Sequence, residues 1–252
     1  MDLKLEGKRA IVTGGSRGIG KAIARQLARE GADVVIAARN GDALAIAAGE
    51  LSRETGRRVE PITVDTGRED SVNNLVKTAI ERLGRIDILV NNAAVPGGIS
   101  PATRLDQIVD AQALEDINIK VIGYLRTARA LAPHLIDNGW GRIINIGGLA
   151  IYRTGRPVAT LRNVGVAAIT KNLADELGPK GINVVAVHPG ATRTERTDPS
   201  SEKTLAQNVG IGRIVDATEI AWLVAFLASP LSVAINGDAI DAGGGSLGTI
   251  NY

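Results

Sequence analysis

The stretch RAIVTGGSRGIGKAIARQLAREGADVVIAA, residues 9–38, decides the fold. After Arg9, its next four residues, Ala10-Ile11-Val12-Thr13, are apolar or β-branched and suit one buried strand. A glycine-rich turn follows, Gly14-Gly15-Ser16-Arg17-Gly18-Ile19-Gly20, and residues 19–30 then repeat apolar positions at helical spacing before DVVIAA forms a second strand. Strand, glycine turn, amphipathic helix and strand in that order form the opening unit of a doubly wound α/β domain that binds a dinucleotide. The glycines permit a tight turn and close backbone approach, and the free N–H groups of the helix start face a pyrophosphate.

The same alternation continues outward. Further strands are expected at residues 59–64, 88–91, 142–146, 183–188 and 238–241, with helical patterns in most intervals. Seven strands joined by helical crossovers imply a parallel sheet in a three-layer Rossmann-type arrangement, because parallel neighbours need long connections. No linker, repeat or low-complexity tract divides the 252 residues, so one domain over 1–252 is expected. Glycine-rich joints such as PGGIS, residues 96–100, mark loops. The uncharged run 220–237 approaches membrane-spanning length, but Ser229-Pro230 splits it into a helix-sized and a strand-sized core element. The site is expected where loops meet the C-terminal strand ends.

Composition narrows the chemistry. Lys and Arg number 29 against 27 Asp and Glu, and a net charge of +2 favours neither nucleic acid nor an anionic membrane. Aromatic residues at 2% argue against base stacking. The absence of cysteine removes disulfides, thiolate nucleophiles and thiolate metal sites, and His134 and His188 lie too far apart in sequence to suggest a metal centre. Hydroxyls, amides, charged groups or a cofactor must do the work. The opening MDLKLEGKRAIV alternates charged and apolar residues where a signal peptide needs an unbroken apolar stretch, so a cytoplasmic protein is expected.

The spacing TGxxxGxG resembles the short-chain dehydrogenase/reductase family, and further matches follow in order along nearly the whole chain. Asp65, followed by Thr66, stands where the family contacts adenine. Asn91-Asn92-Ala93-Ala94 stands where it usually has NNAG, Asn118 matches its helix asparagine, and Pro189-Gly190-Ala191-Thr192-Arg193-Thr194 matches its PGxxxT segment, which holds the nicotinamide amide. Ile235-Asn236-Gly237 and Asp241-Ala242-Gly243-Gly244 match its C-terminal ending. With the glycine loop, the resemblance implies a cofactor site of Gly14, Ser16, Arg17, Gly18, Ile19, Gly20, Arg39, Asp65, Thr66, Asn92, Ala93, Pro189, Gly190, Thr192 and Thr194. It also implies a homodimer or homotetramer packed through long helices near residues 114–137 and 160–177.

Charge then chooses the cofactor. An acidic side chain after the second strand would bond the ribose hydroxyls of NAD and repel a 2′-phosphate. Here Ala38 stands at that place and Arg39 follows, while Arg17 lies in the glycine loop. Two guanidinium groups suit a phosphate clamp, and NADP(H) is the expected cofactor.

The family's acid/base residues do not carry over. Aligning VGVAAITKNLADELG, residues 164–178, with the family helix of YxxxK puts Ala159 at the tyrosine and Asn163 at the lysine. INIGG, residues 144–148, stands where the family reads INISS, so Gly148 replaces the serine. The remaining catalytic candidates are Asn118, for which a helix-kink role stands equally open, and Tyr152. Tyr152 and Arg156 resemble the tyrosine-arginine pair of halohydrin dehalogenases, but Gly155 and Pro157 point to a loop, which would not put both on one helix face. Arg153, Arg156 or Arg162 could neutralise an anionic substrate. His188 before Pro189 is expected to bond backbone, and Trp222 with Phe226 forms a buried or subunit-facing stripe. Residues 194–209 would form a polar lid.

These features make an NADP(H)-dependent oxidoreductase of a small carbonyl or alcohol, with a rearranged proton source, the first expectation. The alternatives are a non-catalytic NADP(H)-binding sensor and a cofactor-free isomerase, lyase or dehalogenase.

Overall fold

The computed structural model describes residues 1–95 and 97–245; Pro96 of the PGGIS joint and residues 246–252 of the expected domain lie outside the described residues. Element order is β1 (Arg9–Thr13), α1 (Gly18–Arg29), β2 (Asp33–Ala38), α2 (Gly41–Thr55), β3 (Val59–Thr63), α3 (Glu69–Leu83), β4 (Ile88–Asn91), α4 (Asp110–Ile117) and, after a π-turn over Asn118–Ile122, α5 (Gly123–Asp137). It continues with β5 (Gly141–Ile146), α6 (Pro157–Leu177), β6 (Ile182–Pro189), β7 (Thr192–Arg193), α7 (Pro199–Ala206), β8 (Val215–Asp216), α8 (Ala217–Ala228) and β9 (Ala239–Ala242).

Seven parallel strands pair in the order β3-β2-β1-β4-β5-β6-β9. β1 pairs with β2 on one side and β4 on the other, Ile11 lying opposite both Val35 and Leu89. The strand order therefore reverses at β1, which opens a crevice above the C-terminal ends of β1 and β4.

Strand residues alternate between two buried layers. Ala10 and Val12 of β1 pack with Ile23 and Leu27 of α1, Leu44 and Leu51 of α2 and Val224 of α8. Ile11 faces the other layer, with Val72 and Leu75 of α3, Leu131 of α5 and Leu177 of α6. Because both faces are covered, the inner strands β1, β2 and β4 are nearly continuous apolar runs, whereas the edge strands β3 and β9 keep exposed residues.

The expected helix over 114–137 is interrupted by the π-turn, an inserted-residue feature that aims side chains away from the regular helical face. The strand-sized piece expected after Pro230 is not a strand. Pro230–Ser232 forms a 3-10 turn capped by the Ser229 hydroxyl, and Asn183 Nδ2 donates to the carbonyls of Val233 and Ile235, taking acceptors a ladder would have used. Trp222 is 56% exposed whereas Phe226 is partly buried, so only one of the pair joins the core. Leu114, Leu161 and Val164, on the helices expected at subunit contacts, are exposed. Among the described residues no helix is long and apolar enough to cross a membrane.

Candidate active site

The glycine loop is set by two demands. Gly14 has φ +68, a left-handed conformation, and a Cβ there would stand 2.7 Å from Asn92 Nδ2. Gly20 has the tighter place: its Cβ would lie 2.2 Å from the Gly14 carbonyl oxygen. Asn92 ties the loop to β4 by donating from Nδ2 to the carbonyls of Thr13 (3.1 Å) and Gly14 (3.3 Å). The Thr13 hydroxyl in turn accepts from the N–H groups of Asn92 (2.9 Å) and Ala93 (3.0 Å).

Above this loop lies a crevice of about 640 Å³. All fifteen residues expected at the cofactor line its wall: Gly14, Ser16, Arg17, Gly18, Ile19, Gly20, Arg39, Asp65, Thr66, Asn92, Ala93, Pro189, Gly190, Thr192 and Thr194. Three features fit a dinucleotide. The start of α1 has no side-chain cap of its own, and the Gly18 N–H donates to the Glu195 carboxylate at 3.0 Å, which stands where an anion is favoured. Arg17 and Arg39 are exposed on the crevice rim with no carboxylate partner among the described residues. The close approach at Gly20 leaves backbone rather than side chain as the floor.

The opposite end of the crevice is built from the π-turn and β5. Lys120 points from the π-turn and is 5% exposed, with Nζ donating to the Gly147 carbonyl at 2.8 Å and to Asn163 Oδ1 at 2.9 Å. Asn163 is fixed by donating from Nδ2 to the Ala159 carbonyl at 2.8 Å. Gly148 faces this amide, and a Cβ added there would lie 3.4 Å from Asn163 Oδ1. Burial lowers the Lys120 ammonium to about 7, the Arg162 guanidinium pushes the same way, and Asp116 opposes them.

That shift has a consequence for stability. Between about 7 and the ordinary lysine value of 10.5 the unfolded chain holds a proton that folded Lys120 has lost, so stability rises with pH across this window. Between pH 7 and 9 the wild type should gain about 2 kcal/mol more than Lys120→Met does. Urea unfolding of both proteins at the two pH values measures this, and equal gains would contradict the shift.

Sequence reasoning missed Lys120 and the pair beside it, Arg162 NH1 to Asp116 Oδ1 at 3.1 Å, both side chains buried. The available signal was one lysine inside the apolar run IKVIGYL, residues 119–125. Arg162 is thus already paired, Arg156 donates to the Gly97 carbonyl at 2.7 Å, and Arg153 lines a chamber of about 150 Å³ with Leu149, Leu205 and Val209. That chamber lies under α7, which occupies most of the expected lid, and Arg193 anchors the lid by bonding Glu202 at 2.8 and 2.9 Å and Asp216 at 2.8 Å.

Asn118 and Tyr152 do not converge on Lys120. Asn118 opens the π-turn, donates weakly to the Gly67 carbonyl at 3.4 Å, and accepts from Arg126 at 2.8 Å. Tyr152 ends a 3-10 turn over Leu149–Tyr152 and Arg156 precedes the first residue of α6, so the two do not share a helix face. Partial burial, together with Asp241, raises the Tyr152 phenol above the usual tyrosine range. His188 is fully buried and its Nδ1 accepts the Gly148 N–H at 3.1 Å, as expected of a backbone-bonded ring, which leaves the proton on Nε2. Burial holds its pKa down.

A parallel sheet with a glycine loop at its switch point, and guanidinium groups beside it that are unpaired among the described residues, defines a Rossmann-type dinucleotide-binding protein. The chain belongs to the short-chain dehydrogenase/reductase family of oxidoreductases: a family model described as Enoyl-(Acyl carrier protein) reductase matches residues 14–246. It is 36% identical over 250 residues to the 3-oxoacyl-[acyl-carrier-protein] reductase FabG of Vibrio harveyi, covering 96% of this chain and 98% of that one. Among solved structures, L-sorbose reductase from Gluconobacter frateurii, complexed with NADPH and L-sorbose, superposes with a TM-score of 0.92 at 28% identity over 99% of this chain and all of that one. The 3-ketoacyl-(acyl-carrier-protein) reductase from Brucella melitensis, complexed with NADH, gives a TM-score of 0.88 at 30% identity over 96% and 99% of the two chains.

Proposed function

We propose that this chain is an NADP(H)-dependent oxidoreductase of a small carbonyl or alcohol whose proton transfer does not use the family's serine, tyrosine and lysine. The observation that carries the reading is the pair of guanidinium groups lining the crevice, Arg17 at the start of α1 and Arg39 after β2, which have no carboxylate partner among the described residues. The similar structures hold NADPH in one case and NADH in another, so local charge must choose between them. Two cations with no acid after Ala38 favour the 2′-phosphate.

Within the crevice, the N–H groups at the start of α1 bind the pyrophosphate once Glu195 gives way. Asp65 and Thr66 border the adenine, and Pro189, Gly190, Thr192 and Thr194 hold the amide end. Asn92 and Ala93 fix the loop between them, and Asn118 positions the π-turn through Gly67 and Arg126. A nicotinamide bound here supplies hydride chemistry. Gly148, Ala159 and Asn163 stand in for the family's catalytic three, so the proton must come from another group. Tyr152 has a raised phenol and is not among the residues lining the crevice, which counts against it as the acid/base. The names of the relatives point to ketone reduction, in an acyl chain or a sugar, as the first chemistry to try.

The test is calorimetric titration with NADPH and NADH, followed by nicotinamide absorbance across a panel of ketones and secondary alcohols. Tight NADPH-selective binding with turnover is expected. Arg39→Ala should weaken NADPH by about 1–3 kcal/mol, roughly ten- to hundredfold, and leave NADH nearly unchanged. Equal weakening of both would remove Arg39 from the phosphate. Because Gly148, Ala159 and Asn163 cannot exchange protons, binding without turnover throughout the panel would instead favour the sensor reading.

A further inference from the structure

We propose that Lys120, reaching across from the π-turn, is the catalytic acid/base of this crevice. The inference rests on the nicotinamide reading above and supplies its missing proton carrier. Asn163 is too short and has no proton to exchange, but its amide oxygen holds the ammonium of Lys120 at 2.9 Å, beside the carbonyl of Gly147 at the end of β5. The cation thus enters the same corner from a different element. Two of its three N–H bonds are anchored, and the third has no acceptor among the described residues, although Lys120 lines the crevice with Asn92, Ile146 and Pro189. Of the other ionisable groups on the crevice wall, Arg17, Arg39, Arg162 and Arg196 do not release protons, while Asp65 and Glu195 belong to the adenine and pyrophosphate parts of the proposed arrangement.

The step balances. As the carbonyl carbon of a ketone accepts a hydride from a reduced nicotinamide dinucleotide, the C=O π pair moves to oxygen. One proton passes from the Lys120 ammonium to that oxygen. Alcohol and a neutral amine result, and solvent reprotonates the amine. In the oxidation direction the neutral amine takes the hydroxyl proton as hydride leaves carbon. A buried lysine with a pKa of about 7 can serve in both directions near neutrality. The charged and titratable groups that act on it are Asp116 of α4, Arg162 of α6 and His188 of β6; the Tyr124 phenol of α5 donates to the Ile146 carbonyl at 3.0 Å, and burial keeps it protonated.

The experiment uses nucleotide alone, so it needs no substrate. NADP+ and NADPH are titrated into the wild type and Lys120→Met by calorimetry at pH 6.5, 7 and 8, in buffers of different ionisation enthalpy that reveal proton release. The oxidised ring is positive and the reduced ring neutral, whereas the 2′-phosphate is common to both, so the difference between them reports a cation beside the ring. The wild type should release more protons on binding NADP+ than NADPH near pH 7, and its relative affinity for NADP+ should rise about three- to tenfold from pH 6.5 to 8. Lys120→Met should still bind NADPH and lose both effects.

A second variant keeps the test decisive if Lys120→Met fails to fold. Asn163→Asp puts a carboxylate on the ammonium and should move the midpoint of the proton-release difference upward by more than one pH unit. No difference in the wild type, or an unchanged one in Lys120→Met as a titrating His188 would give, overturns the assignment of Lys120 alone. Failure of the wild type to bind either nucleotide overturns the cofactor reading as well.

Discussion

Replacing Asp116 by alanine is expected to lower folding stability by about 3–5 kcal/mol. Asp116 is 2% exposed, and each of its oxygens is used. Oδ1 accepts from Arg162 at 3.1 Å, while Oδ2 accepts the N–H of Ile99 at 2.9 Å and of Ser100 at 3.4 Å. Truncation leaves the Arg162 guanidinium buried with no compensating charge, and Arg162 Nε is already without a partner. It also strands two backbone donors, each costing roughly 1–3 kcal/mol when water cannot reach it. The Coulombic energy of the pair itself is not the quantity lost, since desolvation cancels much of it. The double variant Asp116→Leu with Arg162→Met should therefore recover only the part of the loss that comes from the unpaired guanidinium, since the N–H groups of Ile99 and Ser100 stay stranded. Urea unfolding of the three proteins decides the matter, and a loss below about 1 kcal/mol in Asp116→Ala would mean that water reaches Arg162. The same truncation should impair the crevice, because Val95, Gly97 and Arg162 wall it and Arg162 NH1 also donates to the Val95 carbonyl at 3.2 Å.

What the sequence revealed and what it hid divide along the range of the interactions. RAIVT, the glycine turn and DVVIAA could be read because strand, turn and helix preferences act within a few residues, and all fifteen expected cofactor residues line one crevice because their spacing follows the strand ends. The strand expected over 59–64 ends one residue early, at Thr63. Larger misses had tertiary causes. Residues 231–237 have strand-like composition, but Asn183, about fifty positions earlier, claims their carbonyls. The π-turn has no local signature in DINIKVIGY, whose apolar spacing continues that of the flanking helices. Lys120 was passed over because the family pattern directs attention to the lysine position on α6, whereas its contact with Asn163 joins residues 43 apart in sequence. Asp116 and Arg162, 46 apart, were equally hidden. A buried charge pair can be recognised only when both partners are placed.

Gly20→Ala should reduce NADPH affinity at least tenfold and destabilise the fold by about 2–3 kcal/mol. The added methyl would meet the Gly14 carbonyl oxygen at 2.2 Å and Asn92 Nδ2 at 2.5 Å, well inside van der Waals contact. Neither neighbour can yield freely. Gly14 is held by its N–H bond to the Ala37 carbonyl at 2.6 Å, and Asn92 bridges the loop to β4. Relief requires α1 to move away from β1, which withdraws the N–H groups proposed to bind pyrophosphate. Gly49→Ala in α2 is the matched control: beyond its chain neighbours and its own helix backbone, no atom of the described residues lies within 4 Å of the added methyl, and alanine in a helix interior should stabilise by about 0.5–1 kcal/mol. Thermal unfolding of the two variants gives opposite signs if close packing sets the loop, and calorimetry should show weakened NADPH binding in Gly20→Ala alone. A Gly20→Ala protein that bound NADPH like the wild type would show that the loop can shift without losing its ligand, and the crevice floor would then be adaptable rather than preformed.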